Sequence, residues 1–311
     1  MPSEEVARAL GSALGASRLR RQAPLAPLTT FRAGGAAEWL FEARGSADLL
    51  RGIEVACELG VSVTVLGGGS NVLVSDRGVS GLVVRVHGGT IEVVRPDVVR
   101  AESGVMVNGL VRWTITRGLA GLERWAGTPG TVGGAVYGNA HFEGELIGDR
   151  VRTVGLVARD GARREIARAE MEFGYDCSRL QRTGEILLWA DFAIARGDPA
   201  SLRAGARSSL ALRKRTQPLA SASAGCVFRN PTSAQVPPGM PASAGALIDA
   251  AGLKDRAIGR ARVSTTHGNF IVNDGGASAS EIRSLVSLCR RVVAERFGVE
   301  LRDEIVYLGE F

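Results

Sequence analysis

Two glycine-rich segments most constrain how this 311-residue chain can fold. The first is Gly-Gly-Gly-Ser-Asn at 67–71, between strand-like apolar runs at 61–66 and 72–75, and the second is Gly-Thr-Pro-Gly-Thr-Val-Gly-Gly at 127–134, which we also expect to be flanked by strands. Glycines in such loops let backbone N–H groups converge on an anion. The first segment lacks the GxGxxG spacing, precedes a strand, and has no following Gly-Lys-Ser/Thr, which disfavours a Rossmann site and a P-loop. One such loop alone is equally typical of a glycine-rich hairpin, whereas two favour a pyrophosphate held between two small α+β lobes.

Local helix signals in the N-terminal part are weaker. We expect residues 18–21 to end a short helix that Pro24 and Pro27 break. Ser46 is the predicted N-cap of the next helix, whose apolar face would include Cys57. A strand is expected over 151–159.

The C-terminal part has clearer signals. Asp198-Pro199 begins a predicted helix that runs to about Arg215, and this is the candidate domain boundary. Ser278 and Glu281 form a capping box for a long helix with an apolar face that includes Cys289, and Gly298 ends it.

The charge pattern argues against nucleic-acid binding. The net charge is +6 and the pI about 9.7, but acidic residues are interspersed along the chain rather than separated from a basic stripe. A mildly basic surface still favours a polyanionic small molecule.

Cysteine spacing and the N-terminus indicate a reducing compartment. The four cysteines and three histidines have no CxxC or zinc-finger spacing, so neither a disulfide framework nor a metal site is predicted. No apolar run reaches about 18 residues, and the N-terminus carries acids where a signal peptide has bases. We expect a cytoplasmic protein without a membrane partner.

Further motifs make the pattern specific. In chain order they are Thr-Thr-Phe at 29–31 with Gly-Gly at 34–35, the two glycine-rich segments, Ser-Ala-Gly-Cys-Val-Phe-Arg-Asn-Pro at 223–231, Ala-Gly-Ala-Leu-Ile-Asp-Ala-Ala-Gly-Leu-Lys at 244–254, and His-Gly-Asn-Phe-Ile-Val-Asn at 267–273. From about residue 28 to 309 the chain resembles the UDP-N-acetylenolpyruvoylglucosamine reductases, also called UDP-N-acetylmuramate dehydrogenases. Between Phe192 and Pro199 there is no room for the tyrosine-bearing insertion of one branch, so it resembles the shorter branch.

The resemblance implies an α+β fold. It consists of a two-lobed FAD-binding domain (PCMH/vanillyl-alcohol-oxidase-like) and a C-terminal α/β substrate domain. The expected divisions are an N-terminal extension at 1–27, an FAD-binding domain at 28–197 with lobes at about 28–88 and 89–197, and a substrate domain at 198–311. A monomer is expected.

The resemblance also implies the ligands and the chemistry. NADPH would reduce the FAD, and the reduced flavin would then reduce the enolpyruvyl double bond of a UDP-sugar. The implied FAD-binding residues are Gly67, Gly68, Gly69, Ser70, Asn71, Thr128, Pro129, Gly130, Thr131 and Gly133.

The resemblance places two catalytic residues in the C-terminal part. Cys226 stands where the family usually has a serine proton donor, and a free thiol, with a pKa near 8.5, is the stronger acid. Glu304 falls on the family's C-terminal glutamate. The implied substrate contacts are Lys214 and Arg215 near the diphosphate, and Asn230.

Two motifs depart from the family pattern. The family has Tyr-Arg-x-Ser, whereas this chain has Tyr175-Asp176-Cys177-Ser178, so an acid replaces the arginine that would stabilise the intermediate. Arg179 is our candidate replacement, and the alternatives are that another arginine serves or that the intermediate is held differently. Asn-Ala-His-Phe at 139–142 departs from the family's Asn-Ala-Gly-Ala. These departures leave open a flavin oxidoreductase of the same superfamily with another substrate, or a flavin-binding paralogue without turnover.

Overall fold

The computed structural model describes residues 3–158 and 160–311. The predicted strand over 151–159 is present as Val151–Val157, and its last residue, Arg159, lies outside the described residues. Within the described residues, no helix is both long enough and apolar enough to cross a bilayer.

The α-helices of the described residues are α1 Ser3–Leu14, α2 Gly45–Glu58, α3 Val107–Thr116, α4 Val132–Tyr137, α5 Leu180–Thr183, α6 Pro199–Thr216, α7 Ala244–Ala250 and α8 Ala279–Phe297. Short 3-10 helices lie at Ala16–Arg18, Ala26–Leu28, Glu123–Trp125, Ile147–Asp149, Arg168–Met171 and Ser233–Gln235.

The strands are β1 Leu19–Pro24, β2 Ala36–Arg44, β3 Val63–Leu66, β4 Val72–Val74, β5 Val79–His87, β6 Ile91–Arg95, β7 Val98–Glu102, β8 Leu119–Ala120, β9 His141–Phe142, β10 Glu145–Leu146, β11 Val151–Val157, β12 Arg163–Ala167, β13 Ile186–Ala193, β14 Ala195–Arg196, β15 Ala257–Ile258, β16 Ala261–Val263, β17 Ile271–Asn273 and β18 Val306–Leu308.

The chain forms two compact units that are not consecutive in sequence. The first contains the described residues up to Ala23, Glu38–Gly68 and Ser80–Ala211, and the second contains Pro24–Ala37, Gly69–Val79 and Leu212–Phe311. Two short N-terminal segments therefore pack with the C-terminal part. The predicted division at 197/198 separates an FAD-binding domain from a substrate domain. It concerns which residues bind each ligand, and it stays a prediction.

Two sheets with separate cores build the first unit. A four-stranded sheet has the order β1-β2-β5-β3 and packs with α1 and α2 around a core that includes Trp39, Phe41 and Ile53. A five-stranded sheet has the order β12-β11-β13-β7-β6 and packs with α3 and α4 around Trp125 and Phe192. Each sheet buries one apolar face against helices, as an α+β fold requires.

The second unit has one core beneath its long helix. Strands β15, β16 and β17 form an antiparallel sheet, and β18 pairs in parallel with β4. The apolar face of α8, including Ile282, Leu285 and Cys289, is buried in this core. Phe31 and Leu73, from the two N-terminal segments, are buried in the same core.

Several local predictions are confirmed. Helix α8 begins with Ser278 as its N-cap in a capping box with Glu281 and ends at Gly298 in the left-handed region. Helix α6 begins at Pro199 as expected. Cys289 is buried, as its position on the apolar face predicts.

Other local predictions are wrong. Leu19–Pro24 is a strand rather than a helix end. Ser46 does not cap α2, because its hydroxyl donates to the carbonyl of Leu188 at 2.5 Å. Cys57 is exposed, because the buried face of α2 is centred on Leu49, Ile53 and Ala56. The second glycine-rich segment is not flanked by strands, since its last residues form the start of α4.

An aspartate from an N-terminal segment supports the long helix of the second unit. The Asp76 carboxylate accepts hydrogen bonds from the backbone N–H groups of Ala279 and Ser280, at 2.7 and 2.9 Å, and from the Ser280 hydroxyl. Burial opposes its ionised form, but these hydrogen bonds outweigh burial and hold the pKa of Asp76 below its ordinary value. The ionised carboxylate therefore stabilises the fold above the ordinary aspartate pKa, and this contribution is lost as the pH falls through the lowered pKa.

We predict that Asp76→Ala lowers the free energy of unfolding at neutral pH by about 1 kcal/mol, as for the loss of a helix cap. The difference from the wild type should shrink in acid, because Asp76 is then protonated in both states. Denaturant unfolding at neutral and acid pH measures this, and a difference that does not vary with pH would contradict the assignment.

Candidate functional site

The two glycine-rich segments approach each other within the first unit. A Cβ atom placed on Gly68 would lie 2.6 Å from the Cα of Gly130, a distance that real Cβ atoms do not show. Gly130 itself has a φ of 95°, a conformation that glycine adopts readily. The two backbones can therefore come this close only because both positions are glycine.

Side chains from the neighbouring helix fix the second segment. The amide of Asn108, on α3, accepts from Gly127 N at 2.6 Å and donates to the carbonyl of Thr128 at 3.1 Å. The carbonyl of Gly130 accepts from Val107 N at 3.0 Å. Thr131 is buried and is the N-cap of α4, with its hydroxyl accepting from Gly134 N. Hydrogen bonds within the protein therefore fix this part of the site.

The predicted cofactor residues are divided between the two units. Gly67, Gly68, Thr128, Pro129, Gly130, Thr131 and Gly133 belong to the first unit, and Gly69, Ser70 and Asn71 belong to the second. Within the second unit, Asn71 Nδ2 donates to the carbonyl of Glu304 at 3.1 Å, and the carbonyl of Asn71 accepts from Val306 N at 2.9 Å. The end of the first glycine-rich segment is therefore fixed to the segment that carries Glu304.

The two predicted catalytic residues lie on adjacent segments of the second unit. Glu304 N donates to the carbonyl of Val227, the residue after Cys226, at 2.8 Å. On its other side, the segment at 226–228 is bonded to Asn269, whose side chain accepts from Phe228 N and donates to the carbonyl of Phe228 at 2.7 Å. The backbone thus places Cys226 and Glu304 on adjacent segments, and both residues are half-buried.

The predicted substrate contacts are also in the second unit. Lys214 and Arg215 are exposed in the last turn of α6, where cations are favoured by the helix dipole. The side chain of Asn230 accepts from Ala244 N at 3.0 Å, at the start of α7.

Arg179 is already engaged in an ion pair. Its Nε donates to Glu185 Oε2 at 2.7 Å, and Glu185 also pairs with Arg164 at 3.2 Å. The hydrogen bond to Glu185 raises the pKa of Arg179 above its ordinary value. Burial disfavours the Glu185 carboxylate, but hydrogen bonds from Arg179 and Thr183 outweigh it and lower the pKa of Glu185.

Asp176 pairs with His141 in the first unit. The Asp176 side chain is 5% exposed, and its Oδ1 lies 2.9 Å from His141 Nδ1. Its Oδ2 is buried without a hydrogen-bond partner in the described residues. The His141 ring contacts the Tyr175 ring, with centroids 4.8 Å apart.

Two relatives that match most of this chain carry the same name. The chain is 38% identical to the UDP-N-acetylenolpyruvoylglucosamine reductase of Myxococcus xanthus over 303 residues, which cover 96% of this chain and 94% of that protein. It is also 38% identical to UDP-N-acetylenolpyruvoylglucosamine reductase 1 of Bacillus anthracis, over 92% of this chain and 93% of that protein. This chain belongs to the UDP-N-acetylenolpyruvoylglucosamine reductase family.

Domain models and a solved structure agree with this membership. Residues 37–167 match an FAD binding domain, and residues 217–308 match the C-terminal domain of UDP-N-acetylenolpyruvoylglucosamine reductase. The crystal structure of the reductase from Thermus caldophilus, 32% identical, superposes with a TM-score of 0.77 and covers 94% of this chain and all of that one. The predicted family, the α+β fold, an FAD-dependent oxidoreductase and FAD as its cofactor are confirmed.

Sequence reasoning missed two groups of residues in this reductase-family chain. Asn108 and Asn139 were not singled out, although the buried Asn139 donates to the carbonyl of Gly174 at 2.7 Å and accepts from Gly148 N at 2.8 Å. The contact between His141 and Asp176 was not predicted either. The available signal was that both residues depart from the family motifs.

We predict that Gly68→Ala yields protein without flavin colour. The added methyl group has no room beside Gly130, so the two glycine-rich segments must separate. The glycine cradle, which is the close approach of the Gly68 and Gly130 backbones, is then lost. The control is Gly109→Ala in α3, where a Cβ would meet only the Met106 side chain, at 3.8 Å. The visible spectrum of each purified protein is the measurement, and a Gly68→Ala protein with full flavin absorbance would show that the cradle lies elsewhere.

Proposed function

We propose that this chain catalyses the NADPH-dependent reduction of UDP-N-acetyl-3-O-(1-carboxyvinyl)glucosamine to UDP-N-acetylmuramate, a step of peptidoglycan precursor synthesis. Family membership supports the reaction class. The observation that carries the proposal to this chain is the hydrogen bond that joins Glu304 to Val227, because it places a carboxyl group and a thiol on adjacent segments.

The glycine cradle fits the pyrophosphate of FAD. The Gly68 and Gly130 backbones leave no room for side chains, and the Asn108 side chain fixes the loop at 127–128. We assign FAD binding to Gly67, Gly68, Gly69, Ser70, Asn71, Thr128, Pro129, Gly130, Thr131 and Gly133. When bound, FAD supplies the redox chemistry that protein side chains lack.

Cys226 is the proposed proton donor. The reduction of the double bond leaves negative charge on the carbon next to the substrate carboxylate, and a positioned acid must protonate that carbon. The thiol proton of Cys226 passes to the carbon and leaves a thiolate. The backbone of residues 226–228, bonded on one side to Asn269 and on the other to Glu304, keeps the thiol in place.

Glu304 and the basic residues have proposed roles around this acid. We assign to Glu304 a carboxyl group that, in its protonated form, donates a hydrogen bond to the enolate-like intermediate, since donors aimed at a developing charge lower the barrier. Lys214 and Arg215 are assigned to the diphosphate of the UDP-sugar, and Asn230 to a further substrate contact. Arg179 remains the candidate cation for stabilising the enolate-like intermediate, in competition with its ion pair to Glu185.

The working environment is also part of the proposal. We propose a monomer in the cytoplasm that uses NADPH, with neither nucleic-acid nor membrane partners. The four cysteines, all within the described part of the chain, are free thiols, which is typical of a reducing compartment.

The proposed reaction predicts that the purified holoprotein oxidises NADPH rapidly only when the enolpyruvyl sugar nucleotide is present. UDP-N-acetylglucosamine, which lacks the carboxyvinyl group, should not support the same rate. Absorbance of NADPH measures both. A yellow protein that turns over neither compound would be a flavin-binding paralogue, and one that responds only to another acceptor would have a different substrate.

For Cys226 we predict that the alanine variant is still reduced by NADPH, because that half-reaction needs no proton on the substrate. Oxidation of its reduced flavin by the enolpyruvyl sugar should slow roughly 10²–10⁴-fold, as for the loss of a general acid. Cys226→Ser should retain part of the rate.

Stopped-flow absorbance separates the two half-reactions of the Cys226 variants. Cys57→Ala is the matched control, since it removes an exposed thiol from α2. A Cys226→Ala protein whose flavin is reoxidised at the wild-type rate would mean that the proton comes from another group.

A further inference from the structure

One departing residue from each of the two altered motifs contacts the other. His141 stands where the family usually has glycine, and Asp176 stands where it has arginine, 35 residues away in the chain. In the first unit His141 Nδ1 and Asp176 Oδ1 are 2.9 Å apart. A carboxylate has no proton to donate, so at this distance the imidazole donates Nδ1–H to Asp176. Because both residues differ from the family motifs and bond to each other, we treat them as a pair that replaces the family's glycine and arginine.

The backbone around Asp176 is built to hold an aspartate. Gly174 and Cys177 are joined by reciprocal backbone hydrogen bonds of 3.1 and 3.3 Å, which leave Tyr175 and Asp176 at the tip of a two-residue turn. Asp176 has a φ of 51°, in the left-handed region that aspartate adopts more readily than most residues. Its side chain is almost fully buried, so its direction towards His141 is fixed.

Helix α4 joins this turn to the glycine cradle. The carbonyl of Tyr137, at the end of α4, accepts hydrogen bonds from the Ser178 hydroxyl at 2.8 Å and the Gln181 side chain at 3.0 Å. The other end of α4 begins at Thr131, beside Gly130. Six residues of helix span about 9 Å. The pair therefore lies one short helix away from the proposed pyrophosphate site.

The chemistry of the pair differs from that of an isolated aspartate. With Nδ1–H bound to the buried carboxylate, the imidazole is fixed in orientation, and protonation makes Nε2 a second donor. His141 is also 28% exposed, so its ring is accessible to a ligand, whereas Asp176 is not.

We propose that His141, positioned by Asp176, donates the hydrogen bond that binds the substrate carboxylate in place of an arginine guanidinium. This inference rests on the proposed function, because it names the donor for that substrate. His141 is the binding residue, and Asp176 is a positioning residue that acts through it. Arg179 is less suited, since the buried Glu185 already accepts from its Nε.

Equilibrium binding to the oxidised holoprotein tests the proposal without turnover. The two ligands are the enolpyruvyl sugar nucleotide and UDP-N-acetylglucosamine, which differ in the carboxyvinyl group alone. His141→Gln should raise the Kd for the first about 10- to 100-fold, the usual effect of losing a hydrogen bond to a charged group, and leave the Kd for the second unchanged.

Matched variants distinguish this role from a structural one. Asp176→Asn keeps the size and the left-handed backbone, removes the charge, and should weaken binding of the enolpyruvyl compound alone. His87→Gln is the control, because His87 pairs with Glu42 at 3.4 Å on the exposed end of β5. Arg179→Ala should reduce stability but leave the ratio of the two Kd values near that of the wild type.

Nitrogen NMR of histidine-labelled protein provides a second readout. The chain has three histidines, so the His141 signals can be assigned from the His141→Gln spectrum. They should shift when the enolpyruvyl compound is added and stay in place with UDP-N-acetylglucosamine.

Other outcomes overturn the proposal. Wild-type binding of both ligands by His141→Gln would do so, as would equal weakening of both together with a lower melting temperature, which indicates a structural pair. If Arg179→Ala, rather than His141→Gln, weakened binding of the enolpyruvyl compound alone, then Arg179 would be the residue that binds the substrate carboxylate. A wild-type protein that neither binds nor reduces the enolpyruvyl compound would overturn the proposed function, and this inference with it.

Discussion

The close approach of the Gly68 and Gly130 backbones is the constraint on which the first unit's part of the site depends. A single methyl group at Gly68 would collide with the Gly130 Cα. The first segment follows β3 of the four-stranded sheet, and the second leads into α4, which packs in the core of the five-stranded sheet, so their contact joins the two cores of the first unit. Asn108 and Thr131 then fix the second segment with side-chain hydrogen bonds. Glycines at these positions let a ligand approach the main chain closely, which suits a phosphate group.

In the second unit, pairing between distant segments of the chain positions the proposed catalytic residues. The parallel pairing of β4 with β18 connects the N-terminal segment at 69–79 to the C-terminal end of the chain. Asn71 and Val227 then bond to the backbone of Glu304 from two directions. Residues far apart in sequence are thereby held at neighbouring backbone positions. The proposed acid and the neighbouring carboxyl group lie on segments that are held by a main-chain hydrogen bond and by the side chains of Asn71 and Asn269, which is the preorganisation that catalysis requires.

The correct predictions from the sequence concern features that are set by local interactions or by recognisable motifs. The capping box of Ser278 and Glu281 spans four residues, so it is visible without a fold. The glycine segments and the motif around Cys226 identified the family, which the relatives confirm. The predicted roles of individual site residues, Arg179 among them, remain predictions.

The failures share a long-range cause. Serine is a residue type that commonly caps helices, but the Ser46 hydroxyl donates its hydrogen bond to the carbonyl of Leu188, 142 residues away in the chain. Cys57 lies at helical spacing from Leu50 and Ile53, yet the sheet covers a face rotated away from it. The His141–Asp176 contact joins a strand to a turn, and no local pattern encodes it. Tertiary contacts of this kind override propensity and cannot be obtained from spacing alone.

The central claim is that this chain passes reducing equivalents from its flavin to an enolpyruvyl sugar nucleotide. The most direct measurement is an anaerobic single turnover, in which the holoprotein is reduced with one equivalent of NADPH and then mixed with that compound. The account predicts full return of the oxidised flavin spectrum and one equivalent of a product that has gained two hydrogen atoms, seen by mass spectrometry. A flavin that stays reduced, or one that is reoxidised without this product, would contradict it.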